Sequence, residues 1–161
     1  MDKDIENRIV EELKKYFGDK LVSVVLFGSQ ARGTANEHSD IDLVVIAKSV
    51  PSDWRKQDDI ITDISLSEGL ADIPISVILN NPEEIISSLN VIQPLMFGIL
   101  KNYKILYDSD SFFDTQSQIY RKRMQEWDVQ EIADHTWRVG IIAEDAKRRA
   151  NSKSLSSGST N

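Results

Sequence analysis

Residues 26–45, LFGSQARGTANEHSDIDLVV, join two apolar runs through a short polar segment. The runs LVSVVLF (21–27) and DIDLVVIA (40–47) are short and rich in β-branched residues, which predicts two buried strands. The polar segment between them predicts a turn that contains one helical turn. Asp40 and Asp42 stand in the second run, and buried carboxylates are costly unless a cation accompanies them. The stretch therefore predicts a site between two strands.

Helical periodicity surrounds this pair of predicted strands. Upstream, apolar residues at helical spacing predict a helix that ends at Gly18, and they are Ile5, Ile9, Leu13 and Phe17. Downstream, a helix is predicted to begin near Pro51 and to end at Gly69. Its predicted core face consists of Trp54, Ile60, Ile61 and Ile64.

The next elements complete a small domain. A third strand is predicted over 73–79, and Asn80 or Asn81 is predicted to cap a helix that opens at Pro82. A short apolar helix (95–102) and a short strand (104–107) follow. This order predicts an α/β (α+β) fold with a small mixed β-sheet flanked by helices.

The chain is expected to divide into three parts. Residues 1–108 form the predicted domain, and residues 109–150 form a helical extension packed on it, in two helical pieces broken near Trp127 and Asp128. The Ser-rich residues 151–161 predict a disordered tail because they have almost no apolar content to bury.

Composition excludes several classes of function. The formal charge of −7 and the pI of about 4.8 argue against a nucleic-acid footprint over the whole surface. The absence of cysteine excludes disulfides, thiolate metal sites and cysteine nucleophiles. No run approaches the ~18 apolar residues of a membrane span, and the charged N-terminus is unlike a signal peptide. A cytoplasmic protein that does not engage a membrane is expected.

Two basic clusters leave a local nucleic-acid surface as an alternative. They are residues 121–127 and 146–153, and they surround Trp127 and Trp137. The acidic residues between the clusters balance the charge, so a solvated amphipathic helix is favoured over a nucleic-acid surface. His38 is expected to be merely exposed, and His135 is expected to be a structural residue on a helix.

The residue types around Asp40 and Asp42 indicate a metal and phosphate site. Residues two apart on a strand point to the same face, so the two carboxylates lie side by side and repel each other unless a cation intervenes. Oxygen ligands without His or Cys favour Mg²⁺ or Mn²⁺, with phosphates as the remaining ligands. Gly28 and Ser29 can receive a phosphate at the strand-to-helix turn, and Arg32 can form a bidentate pair with phosphate oxygens.

The combined pattern, FGSQARGTANEHSDIDLVV, resembles the signature G-S-x-A-R-G…S-D-[IL]-D-L of the nucleotidyltransferase superfamily related to DNA polymerase β, in particular its minimal nucleotidyltransferases. The resemblance implies that Asp40 and Asp42 bind two Mg²⁺ ions that clamp a nucleoside triphosphate. It also implies that Gly28 and Ser29 hold the β- and γ-phosphates and that Ser39, within the signature, belongs to the nucleotide site.

The same resemblance implies an activity and a partner. The expected reaction is Mg²⁺-dependent transfer of a nucleoside monophosphate, AMP from ATP, to a hydroxyl of a macromolecule. A protein acceptor is expected because small relatives act as antitoxins beside a HEPN-type ribonuclease. The alternative is a catalytically impaired module of the same fold that binds nucleotide or a partner.

One position departs from the family pattern. Active members carry a third acidic residue on the next strand, and Ser76 stands in that place. Asp72 has the same strand parity as Ser76, yet it precedes Pro74. Three interpretations stay open: Asp72 supplies the third catalytic carboxylate, the site works with two carboxylates and weaker metal binding, or the protein binds nucleotide without catalysis.

Overall fold

The computed structural model describes residues 1–36, 38–142 and 144–145. Over these residues six α-helices and six strands have defined bounds, and residues 140–142 and 144–145 are helical as well. In chain order they are α1 (Lys3–Phe17), β1 (Leu21–Phe27), α2 (Gly28–Arg32), β2 (Ile41–Ala47), α3 (Trp54–Ser65), β3 (Ile75–Asn80), α4 (Pro82–Ser88), α5 (Pro94–Lys101), β4 (Lys104–Asp108), α6 (Phe112–Glu126), β5 (Val129–Ala133) and β6 (Thr136–Val139). None of the described helices is long and apolar enough to cross a membrane.

Four strands form a mixed sheet in the order β3-β2-β1-β4. β1 pairs antiparallel with both β2 and β4, whereas β2 pairs parallel with β3. The parallel pair is connected through α3, as a parallel crossover requires. The predicted small mixed sheet flanked by helices is therefore confirmed.

The sheet is covered on both faces, which explains why its central strands are almost wholly apolar. On one face, Ile9 of α1 and Ile64 of α3 belong to the buried cluster that includes Leu43 of β2. On the other face, Val44 of β2 and Ile99 of α5 line a common cavity of about 300 Å³. Because strand residues alternate, Asp42 shares its face with Val44, opposite to the face on which α1 packs.

The N-terminal helix follows its sequence signals. Asp2 caps α1 by accepting a hydrogen bond from the Asp4 backbone N–H at 3.0 Å. Gly18 ends the helix with a φ of 57°, a left-handed value that favours glycine. The predicted first helix and its end are confirmed.

The chain divides into two compact units, Met1–Ile119 and Tyr120–Asn161. The first unit contains the four-stranded sheet. In its described part, the second unit contains the last turns of α6, a two-stranded antiparallel hairpin, β5–β6, and helical residues at 140–142 and 144–145.

The hairpin corrects the prediction that a second helical piece begins directly after Asp128, whereas residues 140–142 and 144–145 are helical as predicted. The predicted helix before that break is confirmed as α6, but Val129–Ala133 and Thr136–Val139 are strands. The reversal occurs at Asp134 and His135, and His135 has a φ of 54°. A left-handed residue interrupts a helix, so His135 lies in a turn and not on a helix as predicted. The predicted disordered tail, 151–161, lies outside the described residues.

A second correction concerns Trp54. The helical pattern predicts it in the core face of α3, but its side chain is 63% exposed. Trp54 is the first residue of the helix, and the guanidinium of Arg55 lies 4.8 Å from its ring centroid. The indole therefore makes a surface cation–π contact and does not enter the core.

The cap of α4 connects β3 to the loop that follows β2. The Asn81 side chain accepts a hydrogen bond from the Glu84 N–H at 2.8 Å, and the Glu84 carboxylate accepts one from the Asn81 N–H at 3.2 Å. The Asn81 amide also donates to the Val50 carbonyl at 3.3 Å. Asn81 is buried, so these groups have little access to water as an alternative partner.

Replacement of Asn81 by alanine is expected to lower the free energy of unfolding by about 1–2 kcal/mol, because a helix cap is lost and the Val50 carbonyl loses its partner. Chemical denaturation followed by circular dichroism measures the change. Asn90→Ala, at an exposed position after α4, is the matched control and should leave stability within about 0.5 kcal/mol of the wild type. Equal losses in both variants would contradict the role given to the cap.

Candidate active site

Asp42 is the one charged residue of β2, a strand whose other members are all buried. It lies opposite Phe27 of the antiparallel β1 and beside Ser76 of the parallel β3. The pKa of Asp42 is raised, first by burial and then by the negative charge of Asp40, while the charge of Arg32 lowers it. A half-buried carboxylate is thus held near a second carboxylate and a guanidinium.

Asp40 lies one residue before β2, not within the strand as predicted, and it is exposed. The prediction that the two carboxylates act as neighbours does not depend on this boundary, because the charge of Asp40 acts directly on Asp42. The sheet edge where β2 begins therefore presents one exposed and one half-buried carboxylate.

Gly28 brings the backbone close to the Asp42 carboxylate. Phe27 pairs with Asp42, so the next residue turns past the carboxylate as α2 begins. Gly28 has a φ of 70°, and a Cβ atom placed on it would lie 1.9 Å from Oδ2 of Asp42. No other residue type fits this position without moving either the turn or the carboxylate.

The short helix α2 presents the remaining predicted phosphate residues. Ser29 lies in its first turn and is half-buried, and its carbonyl accepts a hydrogen bond from the Thr34 N–H at 3.0 Å. Arg32 ends the helix with an exposed side chain. The structure therefore brings Gly28, Ser29 and Arg32 to the edge that holds Asp42.

Ser39 organises the loop that delivers Asp40. Its hydroxyl accepts a hydrogen bond from the Asn36 N–H at 3.0 Å and donates to Oδ1 of Asn36 at 3.2 Å. The same Asn36 oxygen accepts from the His38 N–H at 2.9 Å. Asn36 is a positioning residue that the sequence analysis missed, although an Asn two residues before a polar turn is the signal for this type of loop. His38 is exposed, as predicted.

Asp72 is directed away from Asp42. It precedes β3, and its Oδ1 accepts a hydrogen bond from Nη2 of Arg8 at 2.5 Å. That contact, together with burial that opposes it, leaves the pKa of Asp72 below its ordinary value. Arg8 belongs to α1, which packs on the face of the sheet opposite to Asp42. The structure therefore does not bring Asp72 into the site, and the interpretation that it supplies the third carboxylate is corrected.

Ser76 occupies the position beside Asp42 instead. The two residues are direct partners in the parallel register, and Ser76 is exposed. Its hydroxyl carries no charge at neutral pH, so the described residues place two carboxylates at this edge.

The donor set fits a hard divalent cation that arrives with a nucleotide. Within the described residues there is no group of three or more His, Asp or Glu side chains arranged to hold a metal ion. Two carboxylates supply part of the oxygen shell that Mg²⁺ requires, and substrate phosphates commonly supply the rest. A cation here would also offset the repulsion between Asp40 and Asp42.

Comparisons with known proteins show the family to which the chain belongs. Residues 6–153 match the model of the nucleotidyltransferase domain. A candidate protein adenylyltransferase of Methanocaldococcus jannaschii is 46% identical over 118 residues, which make up 70% of this chain and 79% of that protein. A second candidate protein adenylyltransferase of the same organism is 43% identical over 53 residues, or 30% of this chain and 54% of that protein.

Solved structures share the fold. A chain from the tri-AMPylated Shewanella oneidensis HEPN toxin in complex with MNT antitoxin superposes with a TM-score of 0.51 at 17% identity, covering 78% of this chain and 88% of that one. The spectinomycin adenyltransferase of Enterococcus faecialis, with ATP and spectinomycin, gives a TM-score of 0.50 at 12% identity, covering 78% and 66%. The family model matches most of the chain, and Gly28, Ser29, Asp40 and Asp42 lie at one edge of the sheet. The chain belongs to the nucleotidyltransferase domain family.

Proposed function

We propose that this nucleotidyltransferase transfers AMP from ATP to a hydroxyl group of a protein. The observation that carries the proposal is the meeting of the Asp40–Asp42 pair with the Gly28–Ser29 turn, where Gly28 lies against the Asp42 carboxylate. The carboxylates would hold a cation, and the turn would accept phosphates. If the cation and the turn are to bind the same nucleotide, the carboxylates must lie beside the turn.

The proposed reaction is a displacement at the α-phosphorus of the nucleotide. The acceptor oxygen forms a bond to the α-phosphorus, the bond from that phosphorus to the bridging oxygen breaks, and pyrophosphate leaves while the hydroxyl proton is released. Gly28 and Ser29 bind the β- and γ-phosphates, and Arg32 contributes positive charge beside them. Asp40 and Asp42 would hold Mg²⁺ or Mn²⁺, which would neutralise the charge that develops on the leaving oxygen.

Support for ATP and a protein acceptor comes from the relative that is 46% identical, which is named for protein adenylylation. A HEPN-type protein is the acceptor and partner we propose. The complex of HEPN toxin with MNT antitoxin supports it through a shared fold. Use of ATP supports a cytoplasmic location.

Asp42→Asn and Asp40→Asn are each expected to reduce AMP transfer by at least about a hundredfold, equivalent to about 2.7 kcal/mol of transition-state stabilisation. Each substitution removes one of the two charges that would hold the cation. The measurement is transfer of α-³²P-labelled AMP from ATP to a purified HEPN-type protein, with RNA and the isolated chain as alternative acceptors.

Asp72→Asn is the matched control, because it removes a carboxylate that contacts Arg8 and not the site. It is expected to retain transfer within about twofold of the wild type, since a side chain this exposed contributes little to stability. Undiminished transfer by Asp42→Asn would refute the site assignment. Labelling of RNA in place of protein would refute the proposed acceptor.

A comparison of Gly28→Ala with Gly33→Ala separates the effect of contact with Asp42 from the effect of backbone strain. Both glycines have left-handed φ values, 70° and 72°, but only a Cβ on Gly28 meets the Asp42 carboxylate, and a Cβ on Gly33 has no neighbour within 4 Å. Gly28→Ala is expected to weaken transfer by about a hundredfold, because a misplacement of about 1 Å has that effect on catalysis. Gly33→Ala is expected to lower stability by about 1 kcal/mol with transfer largely kept.

Steady-state transfer rates and thermal denaturation of the two glycine variants provide the comparison. If both variants lose transfer in proportion to their loss of stability, strain alone explains the effect and the positioning role of Gly28 is wrong.

A further inference from the structure

Ser76 of β3 is the residue beside Asp42, and its side chain sets the charge at that position. The two residues are direct partners in a parallel pair, so their side chains leave the sheet on the same face. Neighbouring strands lie about 4.8 Å apart, so a carboxylate at position 76 would stand within reach of an ion bound by Asp42. A serine hydroxyl there offers a neutral oxygen and no charge.

The nearest acidic residue upstream does not compensate. Asp72 is ion-paired with Arg8, and the carbonyl of Gly69 accepts a second hydrogen bond from the same guanidinium at 2.9 Å. The two contacts hold Arg8 and Asp72 together beside α1. The anionic ligands available to a cation at the site, among the described residues, are those of Asp40 and Asp42.

Two carboxylates suit one divalent ion better than two. One or two carboxylates together with substrate phosphates complete the shell of a single Mg²⁺. A second ion would lie about 3.5–4 Å from the first. The repulsion between two divalent ions is four times that between unit charges at the same distance, so a second ion needs further anionic ligands. Position 76 is where the sheet would supply such a ligand.

We propose that, with nucleotide bound, the site holds a single divalent ion and that Ser76 is the residue that excludes a second one. This inference rests on the proposed function, because it takes Asp40 and Asp42 as the ligands of a nucleotide-bound ion. It departs from the two ions that the family resemblance implies.

The test counts ions directly on the full-length chain by native mass spectrometry. The protein is mixed with Mn²⁺ and an ATP analogue whose α,β-bridging oxygen is replaced by a methylene group, so that no transfer occurs. The variants are Ser76→Asp and, should that variant fail to fold, Ser76→Glu. Ser52→Asp is the matched control, since it adds the same charge at an exposed position beyond the opposite end of β2.

The expected result is one Mn²⁺ per protein–nucleotide complex for the wild type and for Ser52→Asp, and two for Ser76→Asp. Electron paramagnetic resonance of the same samples should show the spectrum of a coupled ion pair only for the position-76 variant. Two ions on the wild type would overturn the inference but leave the proposed function intact.

Other outcomes would contradict the inference, the proposed function or the role of Ser76. A wild-type chain that binds neither nucleotide nor ion would overturn the proposed function and this inference with it. One ion in both acidic position-76 variants, or two in Ser52→Asp, would overturn the assignment to Ser76.

Discussion

The close approach of the Gly28 backbone to the Asp42 carboxylate is the constraint on which the site depends. It arises from the sheet, because Phe27 of β1 pairs with Asp42 of β2 and the chain must turn immediately afterwards. A left-handed glycine without a Cβ atom is the only residue that allows this turn beside the carboxylate. Strand pairing therefore brings together the turn that we propose to bind the phosphates and the carboxylate that we propose to bind the metal, and a covered sheet keeps both in place.

The same pairing explains why an acidic residue is retained in an otherwise buried strand. Both faces of the sheet are covered, and Asp42 is the second residue of β2, at the edge of the sheet where α2 begins. Burial and the charge of Asp40 raise the pKa of Asp42, which means that its ionised form is destabilised without a cation. The ionised form of Asp42 is therefore unfavourable in the empty site, and a cation that arrives with a nucleotide would stabilise it.

Sequence patterns predict features that have a strong local signal and fail where that signal is short or does not show how an element packs. The strands around residues 26–45 and the cap at Asn81 follow from β-branched content and side-chain hydrogen bonding within a few residues. The sequence predicts a helix over the β5–β6 hairpin because the alternation of the strands is short and the left-handed conformation of His135 cannot be recognised from residue type alone. Trp54 fits the helical stripe of α3, yet a stripe does not show where the helix begins to pack.

By itself, the sequence determined which residues could form the site, because Gly28, Ser29, Asp40 and Asp42 lie close along the chain and their spacing is set by one turn between two strands. Only the tertiary structure decided whether a third carboxylate lies beside Asp42. The register between β2 and β3 sets Ser76 beside Asp42, and the ion pair that holds Asp72 joins it to Arg8, 64 residues away. Contacts between residues so distant depend on how helices pack on the sheet, and local periodicity carries no information about that packing.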